Sequence, residues 1–83
     1  LAIKMGAGNT IFSGFSITDN VNGVWITGGS PSHAHGVFSG GNINHNTGYN
    51  VKVTDVSQGQ TFTGVHIYGD DEKKGRIIIE NSD

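Results

Sequence analysis

The chain has 83 residues and a formal net charge of −2, with 14 glycines, one proline and no cysteine. Only 34% of the residues are hydrophobic and 14% are charged, both below the average for a globular domain. This composition excludes a disulfide framework, argues against binding to a nucleic-acid backbone, and offers no apolar run near the ~18 residues that a membrane insertion would need.

Hydrophobic residues nowhere recur at helical spacing, so the sequence predicts strands and an all-β fold. A short motif recurs instead, as Phe12-Ser13-Gly14, Phe38-Ser39-Gly40 and Phe62-Thr63-Gly64, at offsets of 26 and 24 residues. The predicted strands in chain order are 15–20, 23–27, 41–46, 49–54, 65–70 and 76–80. We interpret 28–36 and 57–61 as looser connections between the copies, which gives two strands in each repeat.

Aligning the copies predicts columns of equivalent residues. Because side chains alternate along a strand, each column should lie on one face and stack on its equivalents. The predicted inward columns are Ile17/Ile43/Ile67, Val24/Val51/Ile77 and Ile26/Val53/Ile79, and the column Trp25/Lys52/Ile78 is predicted to face outward. The chain is thus predicted to be a single β-solenoid segment over 1–83, with coils at about 9–36, 37–61 and 62–83. Three hairpins in a small sandwich are the alternative.

Three segments carry a resemblance to a known family: GFSITDN (14–20), NGVWITGG (22–29) and GGNINHN (40–46). They resemble the right-handed parallel β-helix of the pectate-lyase-like superfamily, in the style of bacteriophage tail spikes and neck appendages. The resemblance covers about residues 9–83 and is specific for fold more than for activity. It implies a homotrimeric virion protein that binds, and in some members cleaves, bacterial surface polysaccharide outside the host cell. It implies no cofactor.

The length and composition also bear on self-sufficiency. A domain of this size and low apolar content is marginal as an isolated monomer, so we expect self-association or a chain that is part of something longer. About three coils is fewer than a full spike carries. We therefore favour a structural, receptor-binding segment that mediates trimerisation. Whether the parent protein is also an enzyme stays open.

The alternative function is a polysaccharide depolymerase, either a hydrolase or a lyase. Glycoside hydrolysis requires two carboxyl groups about 5–9.5 Å apart. The run Asp70-Asp71-Glu72 is the candidate source of these carboxylates. The simpler interpretation of the same run is a solvated, charged loop.

The candidate glycan-binding residues are Trp25, His66 and Tyr68. An outward tryptophan exposes apolar surface, so Trp25 is predicted to be either a subunit contact or a platform on which a sugar stacks. Tyr68, near Thr18 and Asn44 in the alignment, would add the ring and polar groups that sugars favour. An ordinary sheet face is the alternative for these residues.

The remaining candidates are two histidines. His33 and His35 form a His-x-His pair whose imidazoles would point the same way on an extended segment. Two ligands from one chain do not make a metal site, so we predict none unless three copies meet on a threefold axis. Without that axis the pair is a polar loop.

Overall fold

The computed structural model describes residues 1–6, 8–28, 34–56, 59–69 and 76–82. These residues form eight strands: β1 (Ile3–Met5), β2 (Gly8–Ser13), β3 (Ser16–Thr18), β4 (Val24–Thr27), β5 (Ala34–Asn44), β6 (Tyr49–Thr54), β7 (Thr61–Tyr68) and β8 (Arg76–Glu80). Among the described residues, no helical segment has the length and apolar character that crossing a bilayer would require.

The strands form two sheets in which every described pairing is parallel. Sheet I has the order β1–β4–β6–β8, and in sheet II the strand β5 pairs with β2, β3 and β7. After β3 the chain alternates between the sheets, because parallel neighbours cannot be joined by a tight hairpin. The prediction of an all-β fold is confirmed, and the pairings are parallel as the stacked repeat requires.

The strand registers match the predicted columns. Ile43 pairs with Ile17 on one side and with Ile67 on the other. The second strands align in the same way, in the rows Val24–Val51–Ile77, Trp25–Lys52–Ile78 and Ile26–Val53–Ile79. Sequence offsets between equivalent residues therefore predict which residues are neighbours across the sheets.

The sequence analysis missed β1 and β2, and it placed the starts of β5 and β7 too late. The predicted strands began at 41 and 65, whereas β5 begins inside 28–36 and β7 at the end of 57–61, the two stretches interpreted as looser connections. β5 starts at Ala34 and pairs along all of β2. Glycine weakens intrinsic strand preference, and Gly36 lies in this segment. The glycine is needed because an added Cβ would lie 2.8 Å from both the Gln60 side chain and the Phe38 ring. Close packing, which local sequence does not show, determines this strand.

The core lies between the two sheets. Its buried hydrophobic residues are Met5, Ile17, Val24, Ile26, Phe38, Ile43, Val51 and Val53 from the strands of both sheets, and Val56 just beyond β6. Phe38 is at the centre, with ring centroids 4.9 Å from Phe12 and 4.7 Å from Phe62 in nearly parallel stacks. The recurring phenylalanine of the sequence motif therefore forms a continuous aromatic stack.

The recurring glycine of the same motif has a backbone role. Gly14, Gly40 and Gly64 have φ of +62°, +63° and +61°. This left-handed conformation is readily adopted by glycine and interrupts the extended backbone. Each copy of the repeat therefore has a left-handed glycine at the same point: Gly14 between β2 and β3, Gly40 within β5 and Gly64 within β7.

Two residues predicted to face inward are only partly covered. Ile77 and Ile79 align with the buried Val51 and Val53, yet they are 53% and 62% exposed. The reason is that β8 is an edge strand, paired only with β6 in the described structure. Alternation predicts the face correctly, but burial also requires a neighbour on both sides.

Candidate functional site

The outward surface of β3, β5 and β7 is lined by polar and aromatic side chains. Two rows cross the three strands in register, Ser16–Asn42–His66 and Thr18–Asn44–Tyr68. His45 follows directly at the end of β5. We call these seven residues the His66–Tyr68 face.

Three rings meet on the His66–Tyr68 face. The His66 and Tyr68 rings are stacked, with centroids 6.0 Å apart and planes 24° apart. The His45 ring approaches Tyr68 edge-on, at 6.1 Å and 67°. Tyr68 is 50% exposed, so part of an aromatic ring surrounded by amide and hydroxyl groups is open to solvent. Such a surface can stack on the apolar face of a sugar while its polar groups bind hydroxyls.

Buried asparagines hold the backbone beneath this face. The Asn50 side-chain amide donates a hydrogen bond of 3.0 Å to the Tyr68 carbonyl. Asn46 donates to the Asn50 side-chain carbonyl at 2.7 Å and to the Ile17 carbonyl at 3.2 Å. Asn46 follows His45 directly, so this network connects the backbone beside His45 with the backbone of Tyr68 and fixes the two ring-bearing residues relative to one another.

Trp25 lies on the other sheet, within the row Lys4–Trp25–Lys52. The Lys4 ammonium is 4.5 Å from the centre of its ring and the Lys52 ammonium 5.7 Å. The indole Nε1–H donates a hydrogen bond of 2.9 Å to the Thr54 hydroxyl. Trp25 is half-buried and already has polar and cationic partners, so less of its ring is available for stacking on a sugar than in an exposed tryptophan without such partners.

The structure therefore brings together two of the three predicted glycan-binding residues. His66 and Tyr68 are in contact on sheet II, whereas Trp25 belongs to sheet I. His45, which the sequence analysis did not select, joins the pair. Its position one residue beyond a strand, with φ +53°, gives no signal in a strand alignment.

The predicted catalytic and metal-binding residues are only partly described. Asp70, Asp71 and Glu72 lie outside the described residues, so the depolymerase alternative stays a prediction. His33 also lies outside them, while His35 is half-buried in β5 opposite Asn9 of β2. Within the described part of the chain, no cluster of three or more His, Cys, Asp or Glu residues could hold a metal ion.

Lys4 was also missed, for a different reason. The repeat alignment begins near residue 9, and β1 precedes it. Lys4 precedes Trp25 by 21 residues, whereas Trp25 precedes Lys52 by 27, so an alignment extended at a fixed repeat length would not have placed Lys4 in the column of Trp25.

Comparison with known proteins gives no match to a protein family, to a curated protein or to a solved structure.

Proposed function

We propose that this chain is a segment of a right-handed parallel β-helix with about three coils, of the type found in bacteriophage tail spikes and neck appendages. In this proposal it acts in the virion, outside the host cell. It holds three subunits together and contacts bacterial surface polysaccharide through the His66–Tyr68 face.

Three features support a helical winding. Successive strands after β3 alternate between two parallel sheets, and equivalent residues stack in register. Residues with left-handed backbone also recur at equivalent positions: Asp19 and His45 follow β3 and β5, with φ of +61° and +53°. Asp55 and Asn81 follow β6 and β8, with φ of +56° and +50°. Regular corners of this kind are what a chain needs in order to wind through stacked turns.

The observation that carries the polysaccharide role is the stacked pair His66 and Tyr68, exposed on a sheet face beside Asn42 and Asn44. Both rings lie on β7, which is held by its pairing with β5, so they lose little conformational freedom when a ligand binds. Extended faces built from stacked repeats also suit an extended polymer, because equivalent side chains recur along the surface.

The test of this role is binding of purified, lipid-free surface polysaccharides from a panel of bacterial strains, measured by calorimetry. We expect Tyr68→Ala to weaken binding at least about tenfold, because a buried aromatic contact is worth about 1.4 kcal/mol or more. Thr63→Ala is the matched control, since Thr63 is exposed on the same strand outside the face. Equal affinities of the two variants, or no binding to any polysaccharide, would contradict the role.

The trimer is tested separately by sedimentation equilibrium. The smallest species expected, at the lowest concentrations, has three times the chain mass of 8.7 kDa. A monomer at micromolar concentration would overturn the trimer while leaving the binding experiment to decide the polysaccharide role.

A further inference from the structure

One end of the two-sheet structure is an open apolar groove. It lies between the edge strands β7 and β8, each of which pairs with a single described strand. The groove has a volume of about 280 Å³ and is lined by Val51, Val53, Gln60, Phe62, Ile67, Ile77 and Ile79. We call it the β7–β8 end. Its free strand edges can pair with another strand, and its exposed isoleucines favour being covered.

The opposite end carries the same kinds of residues. There β1 pairs only with β4, and β2 and β3 only with β5, among the described strands. Ile3, Phe12 and Ile17 pack on the core from these strands. We call this the β1–β3 end.

The two ends are equivalent row by row. Four rows run through the molecule from one end to the other: Ile3–Val24–Val51–Ile77, Met5–Ile26–Val53–Ile79, Phe12–Phe38–Phe62 and Ile17–Ile43–Ile67. Each row therefore begins and ends with an apolar side chain. The residue at one end of each row can therefore pack on the residue at the other end of the same row in a second copy, as neighbouring residues of a row pack inside the chain.

We propose that the β7–β8 end binds the β1–β3 end of a second copy of this chain, head to tail. β8 then pairs in parallel with β1 of the second copy, and β7 pairs with its β2 and β3. Phe62 extends the aromatic stack onto Phe12 of the second copy, and Ile77 covers Ile3. This inference concerns association along the strand-stacking direction and goes beyond the trimer and the polysaccharide role.

Three further features favour this contact between two copies of the chain. A parallel partner needs apolar residues at the same spacing on two sheets at once, which the β1–β3 end supplies. Charge is also complementary. Ile78 belongs to the row of Lys4, so in the head-to-tail contact it lies opposite Lys4 of the second copy. Glu80 is the next outward-facing residue of β8 and carries the charge opposite to that of this lysine. The edge strand β7 contains no proline and no charged residue, the usual devices that block such pairing.

The association has a distinct size signature. A head-to-tail contact joins different surfaces, so it leaves one free end on each side and does not close by itself. The mass of the assembly should therefore keep rising with protein concentration. A trimer around an axis would instead saturate at three subunits.

Two blocked variants test the proposal. Ile77→Lys/Ile79→Lys places charges in the β7–β8 end, and Ile3→Lys/Thr10→Lys places them in the β1–β3 end, at residues that are exposed or half-buried. Val37→Lys/Thr47→Lys is the matched control, because both residues are exposed and belong to the middle of the stack, in β5 and just after it, outside both ends. Circular dichroism confirms that each variant retains the strand signal of the wild type.

Sedimentation velocity is then measured over a concentration series. We expect the wild type and the control to grow with concentration, and each blocked variant alone to stay at one size. An equimolar mixture of the two blocked variants should reach about twice the mass of either, because each supplies the end that the other lacks. This pairwise rescue distinguishes a specific head-to-tail contact from general stickiness.

The outcomes are separable from those of the trimer. If blocked variants stop at three subunits, both associations exist, and if they stop at one, head-to-tail contact exists without the trimer. A wild-type mass that does not change with concentration overturns the proposal. So does a mixture of folded blocked variants that is no larger than its components.

Discussion

Asn46 donates a side-chain hydrogen bond of 2.7 Å to Asn50 at a point where both residues are almost completely buried, at 1% and 0% exposure. Polar groups at this depth are tolerated only when they are hydrogen-bonded. In the described part of the chain, every buried side-chain nitrogen and oxygen atom has such a partner. The pair therefore connects the strands through the core without the cost of an orphaned polar group.

Replacing Asn46 by alanine should destabilise the fold by about 3 kcal/mol or more, because it removes three hydrogen bonds of a buried side chain and each such loss costs about 1–3 kcal/mol. The lost bonds are those with the Asn20 backbone N–H, the Ile17 carbonyl and the Asn50 side-chain carbonyl. Urea denaturation measures the loss. Asn42→Ala, at an exposed position, is the control and should change stability by less than about 0.5 kcal/mol. Equal stabilities would show that the network contributes nothing.

The central aromatic ring supports a second prediction. Phe38 is fully buried and is stacked between Phe12 and Phe62. Phe38→Ala should cost about 3–5 kcal/mol, since it removes a large side chain and leaves a cavity that two rigid sheets cannot fill. Ile11→Ala, at a residue that is 75% exposed, is expected to be almost neutral in the same denaturation experiment. A loss below about 1 kcal/mol for Phe38→Ala would contradict the central position of this ring.

A third prediction concerns backbone conformation alone. Gly40 has φ +63°, and an added Cβ would meet no atom within 4 Å. Gly40→Ala should therefore cost about 1–2 kcal/mol through left-handed strain and not through a clash. Gly59→Ala separates the two effects, because Gly59 is equally open and lacks a left-handed φ. If both substitutions lower the thermal midpoint equally, the strain explanation is wrong.

The features of the fold and of the candidate site that follow from the repeat could be predicted from the sequence. The Ile17–Ile43–Ile67 row follows from repeat offsets, because equivalent residues must become neighbours when repeats stack in parallel. The same logic selects His66 and Tyr68 as outward neighbours. The repeat is a long-range signal that can be read along one chain.

Other features could not be obtained in this way. The start of β5 depends on Gly36 fitting against Phe38, which is a tertiary contact. Ile77 is exposed in spite of its correct face because exposure depends on whether a strand lies beyond it. His45 joins Tyr68 through a left-handed residue beyond the strand end, where alternation no longer predicts direction.

The last prediction concerns pH. Burial raises the pKa of the Tyr49 phenol above its ordinary value of 10.0. The folded chain then holds this proton more tightly than the unfolded chain, so the contribution of Tyr49 to stability is complete below pH 10.0 and is lost as pH rises through the folded pKa. In a Tyr68→Phe background, which leaves Tyr49 as the single tyrosine, phenolate absorbance should titrate at higher pH in the folded protein than in urea. Tyr49→Phe should abolish this part of the alkaline destabilisation. Coincident titration curves in the folded and unfolded states would contradict the burial of the phenol.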